Sequence, residues 1–153
     1  MKKFSIGIIL MFVLVSGVFA QAGQTIYYRH VLMVDSKTGV RRDVAINQGM
    51  YITFTRNSCY VSNEKGSQIS NPHGSGTHAC TYQGEQNNFH VFTYVEIGVQ
   101  DLWRKTTTYT FSNDYKRLNI AIVITGTMSA FNNNTIYVYE QAAPPTMGPD
   151  IFY

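Results

Sequence analysis

The sequence is short of charge, short of cysteine and poor in catalytic signatures. Asp, Glu, Lys and Arg make up 14% of its 153 residues, and adjacent basic residues occur only at Lys2-Lys3, Arg41-Arg42, Arg104-Lys105 and Lys116-Arg117. That scatter excludes a nucleic-acid interface, which needs clustered Lys and Arg to neutralise several phosphates. The two cysteines lie far from residue 20, so no lipoprotein attachment site is present. Beyond residue 20 no stretch approaches the about 20 apolar residues of a membrane-crossing helix, and no membrane insertion of the mature chain is expected. Ser75 sits in "HGSG", which lacks the strand-to-helix elbow of a hydrolase serine.

What is present begins with a leader. Lys2 and Lys3 precede an almost wholly apolar run from Phe4 through Val15, and Val18-Phe19-Ala20 puts small or modest side chains where a signal peptidase cuts. Cleavage after Ala20 is expected, leaving residues 21–141 as a single β domain and 142–153 as a tail. The basic count then falls from 12 to 10 against 9 acids, and the net charge from +3 to about +1. A mature chain of 133 residues suits one domain and is long enough to bury a real core.

Strand chemistry fills the mature chain. Residues 25–34, 40–46, 50–55, 59–62, 89–99, 106–112, 118–126 and 135–140 are rich in β-branched and aromatic side chains, and Asn, Asp, Ser and Gly stand between them. Only "VQDLWRK" (99–105) allows a helical turn. Short strands at near-regular spacing predict an all-β fold, an antiparallel sandwich or small barrel of about eight strands. Two segments read as similar hairpins: Phe54 and Phe111 point inward one residue before the chain leaves the sheet, and Thr55 and Ser112 open the turns through their hydroxyls. Of Tyr27 and Tyr28, successive on a strand, one belongs in the core and the other at the surface. The end, "AAPPTMGPDIFY", has the aromatic terminus of an outer-membrane barrel. Pro144, Pro145 and Pro149 interrupt it, however, and make it an extended tail.

The leader, the opening "YYRHVLMVDSKTG", the hairpin "YITFTRNSCYVSNEKG" and the later "YTFSNDYKRLN" resemble short exported proteins of Bacteroides-type bacteria. The resemblance covers most of the mature chain and carries no functional residues. It implies export to the periplasm, the cell surface or the medium.

The stretch "NPHGSGTHAC" (71–80) concentrates reactive side chains. In an exported, oxidising setting Cys59 and Cys80 are expected to form a disulfide closing the polar segment between them. His73, His78 and Cys80, with His30 or His90 as a fourth, match zinc in ligand type but not in spacing, so no metal or other cofactor is expected. A cysteine nucleophile with a histidine base competes with the same disulfide. The long polar segment 62–88 reads as a functional loop.

Carboxylate catalysis would draw on Glu64, Glu85, Glu96 and Asp101, but no motif pairs them. Tyrosine, at 11 residues, is the compositional excess, and exposed tyrosines suit recognition. The ligand-binding candidates are Trp103, Arg104, Tyr82, His73 and His78. Trp103 has a competing role as a core residue capping one end of the sheet. The expected function is a non-catalytic binding or interaction module taking a glycan, a protein or a small apolar ligand. A lipocalin-like small-ligand carrier and a small hydrolase are the alternatives.

Overall fold

The computed structural model describes residues 21–44, 49–62, 79–132 and 134–145. Among these, nine strands form one antiparallel sheet: β1 (Thr25–Asp35), β2 (Arg41–Asp43), β3 (Gly49–Phe54), β4 (Ser58–Ser62), β5 (Ala79–Gln86), β6 (Phe89–Ile97), β7 (Trp103–Ser112), β8 (Arg117–Gly126) and β9 (Thr135–Gln141). Strands β1 and β3 through β9 run in order, and pairing of β9 back onto β1 closes them into an eight-stranded barrel. The short β2 is an extra strand alongside the second half of β1. Closure removes the exposed edges an open sheet of this length would present.

Period-two alternation decides what enters the barrel. In β7, Trp103, Lys105, Thr107, Tyr109 and Phe111 face inward, while Arg104, Thr106, Thr108 and Thr110 face out. In β8 the inward row is Leu118, Ile120, Ile122 and Ile124, and the outward row includes Asn119, Ala121 and Thr125.

The two ends differ. At one end lie the tight turns at 55–57, 87–88 and 113–116; here the lumen is filled by Phe54, Phe92, Phe111 and Tyr115, with ring centroids 5.1–6.0 Å apart in edge-to-face and tilted pairs. Each such pair contributes about 0.5–1.5 kcal/mol beyond area burial. Tyr115, held at φ 56° in the β7–β8 turn, folds back as a plug and stacks on His90 at 4.7 Å. Leu118, Ile120, Tyr28 and Tyr109 complete this buried half.

Two bulges interrupt the barrel wall, at Val31 in β1 and at Gln83 in β5. The second uses Gly84 at φ 103°, a conformation costly for residues with a Cβ. Strand β5 corrects the expected 62–88 loop, since residues 79–86 are a paired wall strand. Its composition hid it: only Cys80 and Tyr82 carry large apolar inward groups, the outward positions are polar, and the bulge breaks the alternation. Two further boundaries shift. Strand β7 begins at Trp103, confining the helical turn to Val99–Asp101, and β2 spans only Arg41–Asp43.

The expected disulfide is not formed in this structure. Cys59 and Cys80 are directly opposed across β4 and β5, as pairing them required, yet both are free thiols. Both are fully buried, and burial, together with the hydrogen-bonded Cys80 beside it, pushes the Cys59 thiol well above its ordinary pKa. Here the strand ladder joins the two segments, and the thiols act as small core groups.

Candidate ligand site at the open end of the barrel

Among the described residues, the other end of the barrel is less completely filled. Inward-facing Tyr94, Glu96, Trp103, Lys105, Ile122, Ile124 and Tyr137 are all only partly buried, Tyr94, Ile122 and Tyr137 packing against the core. Glu96, Trp103, Lys105, Ile124 and Met128 line a hollow of about 310 Å³. Glu96 and Lys105 are register partners on β6 and β7, and their charged groups meet at 2.8 Å. The glutamate side chain is 10% exposed and the lysine 19%. A partly desolvated ion pair contributes little net stability but fixes two opposite charges at defined positions. Glu96 and burial together raise the Tyr94 pKa, burial being the larger cause.

Trp103 reaches the mouth because β7 starts with an inward residue immediately after the turn at Val99–Asp101. Its indole lies against Gly98, where a Cβ would come within 2.1 Å of Nε1. Only glycine admits that approach. Around the mouth, the end of β6 and two of the connections, β6–β7 and β8–β9, expose apolar side chains: Ile97 at 56%, Val99 at 80%, Leu102 at 52% and Phe131 at 71%. The second connection is fastened to β8 by the Asn132 side chain, which accepts from the Ile124 N–H and donates to the Ile124 carbonyl.

Below the mouth are two polar atoms with no hydrogen-bond partner, His30 Nε2 and Thr107 Oγ1. His30 is 7% exposed and Thr107 is fully buried. Each stands five residues along its strand from the turn end, counted from Thr25 and from Ser112, which puts them at one height in the lumen. The His30 ring stacks on Tyr139 at 4.6 Å and lies 5.8 Å from Tyr137. Tyr94 and Ile122 are the direct register neighbours of Thr107. Burial lowers the His30 pKa, offset in part by a hydrogen bond to the Leu32 backbone. A backbone group that raises a histidine pKa accepts from the ring, so it takes the single proton of the neutral imidazole and leaves Nε2 as a bare acceptor. An unsatisfied buried polar group costs about 1–3 kcal/mol.

The residues proposed from sequence are not gathered in one place. Trp103 is at the mouth, between its two expected roles. Arg104 faces outward beside it. Tyr82 is at the opposite, filled end, where its ring lies 4.9 Å from Phe92 and its hydroxyl pairs with His90 Nδ1 at 3.2 Å. His73 and His78 lie outside the described residues. Among the described residues no three His, Cys, Asp or Glu side chains converge in a metal-holding group. Sequence reasoning missed His30 and Thr107 as a pair, and also Lys105 and Ile124. The inward row of β7 was visible as an alternation, but the height of one strand against another requires the register.

No protein-family model, curated protein or solved structure matches the chain.

Proposed function

We propose that this protein is a non-catalytic binding barrel holding a small, largely apolar ligand in its open end, in the manner of a lipocalin-like carrier. The observation that carries the reading is the contrast between the two halves of one lumen: aromatic rings fill the turn end, while inward-facing Trp103, Ile124 and the Glu96–Lys105 pair, only partly buried, line a hollow at the other. An eight-stranded barrel is just wide enough either to be filled by side chains or to hold one small ligand. The apolar rim favours a ligand with an apolar body. The leader-like pattern of residues 1–20 supports an exported carrier.

A hydrolase reading finds less support. Glu85 is the register partner of His90, six residues from Glu96 along β6, which separates the two acids by about 20 Å. Glu96 is engaged by Lys105.

Trp103 is the sole tryptophan, so its emission reports on the mouth directly. Titration with 12-bromododecanoic acid, whose bromine quenches on contact, is expected to quench it saturably in the wild type. In Ile124→Tyr, which narrows the hollow, quenching weakens several-fold. Absence of saturable quenching in the wild type overturns the reading.

One observation favours a second reading, a surface glycan. Near the turn end, Phe89, 37% exposed, shares a cleft of about 740 Å³ with Ser112, Asp114, Lys116, Arg117, Glu140 and Gln141. An aromatic platform ringed by side-chain donors and acceptors suits a sugar face. Glycan-array binding lost in Phe89→Ala supports it.

A further inference from the structure

We infer that the ligand carries a planar ring with a hydroxyl at its inner end, a phenol-like group that reaches the layer formed by His30 and Thr107. The inference rests on the carrier reading above and adds the chemistry at the floor of the site.

Three observations converge. His30 Nε2 and Thr107 Oγ1 are both inward, at the same height, buried, and without a partner in the protein. An acceptor and a hydroxyl left unsatisfied on facing parts of one lumen are complementary to a group that both donates and accepts, as a phenolic hydroxyl does. It donates to His30 Nε2 and accepts from Thr107 Oγ1–H.

The ring beside that hydroxyl is specified by the neighbours. Tyr137 lies against His30, Tyr94 is paired with Thr107, and the His30–Tyr139 stack presents an aromatic wall. Aromatic surfaces of this kind receive a flat ring in offset or edge-on contact. Tyr94 and Tyr137, both only partly buried, border that layer. The rest of the ligand then lies toward Trp103, Ile124 and the apolar rim.

A donor requirement of this kind produces discrimination that an apolar pocket cannot. A ring bearing a methyl ether in place of the hydroxyl leaves Nε2 unpaired and binds at least about tenfold more weakly.

The experiment compares p-cresol with 4-methylanisole, two ligands of similar shape that differ in the donor, by Trp103 emission on the wild-type protein at about pH 7.5, where a phenol of pKa about 10 stays protonated. The expected result is tighter binding of p-cresol by tenfold or more, with the preference lost in His30→Phe, which keeps a ring against Tyr139, and both ligands weakened in Thr107→Val. Equal affinity for the two overturns the inference and leaves the carrier reading standing. Failure of both ligands while 12-bromododecanoic acid still quenches also overturns the inference alone. Failure of all three removes the carrier reading and the inference with it.

Discussion

The Tyr28 hydroxyl donates to the Tyr115 carbonyl at 2.7 Å, joining residues 87 apart in sequence. It ties the first strand of the barrel to the turn that plugs its filled end, and burial raises the Tyr28 pKa far above the ordinary phenolic range. Tyr28→Phe keeps the ring and leaves a buried carbonyl unpaired. A loss of about 1–3 kcal/mol in urea denaturation is expected; a change below about 0.5 kcal/mol, the size of ordinary surface effects, contradicts the role given to this bond.

The thiols of Cys59 and Cys80 supply a second expectation. Both are fully buried, and Cys59 is held protonated by its surroundings. Ellman's reagent should react with neither in the native protein and with both after denaturation without reductant. No reaction in denaturant before reduction would mean that the opposed pair is bonded.

Stability should fall on the acid side. Burial lowers the pKa of both His30 and His90 from the ordinary 6.5. The unfolded chain therefore takes up protons first as pH drops, and stability decreases from about pH 6.5 downward through the lowered folded values. The urea midpoint measured from about pH 7.5 to about pH 5 should decline, and less steeply in His90→Phe, which keeps a ring against Tyr115. A flat profile in the wild type contradicts the burial assigned to these rings.

Gly98 should behave as a packing requirement. Its Cβ would fall 2.1 Å from Trp103 Nε1, so Gly98→Ala must move the indole. The Trp103 emission maximum should shift to the red as the ring is pushed toward solvent, with a stability cost of about 1–3 kcal/mol. An unchanged spectrum would place the indole elsewhere.

Much of the wall was legible in the sequence because its turns carry their own chemistry. Thr55 donates its hydroxyl to the Ser58 carbonyl and the Arg117 N–H donates to Ser112 Oγ, both at 3.0 Å, while Phe54 and Phe111 are buried one residue earlier. Tyr28 is in the core and Tyr27 on the outer face, packed at 5.0 Å against Tyr51. β5 was not legible, because a wall strand with two apolar inward residues and a bulge has the composition of a loop. The relation between His30 and Thr107 was equally hidden. Their strands are joined through β8 and β9, so their common height is a property of barrel closure and of no local pattern.

The most direct test of a ligand-holding barrel is the native mass spectrum of the protein purified under mild conditions from the cells that make it. A mass exceeding that of the polypeptide by one small molecule, lost on denaturation and reduced in Ile124→Tyr, is the predicted result. A spectrum showing only the polypeptide, from protein whose Trp103 emission also ignores 12-bromododecanoic acid, would contradict it.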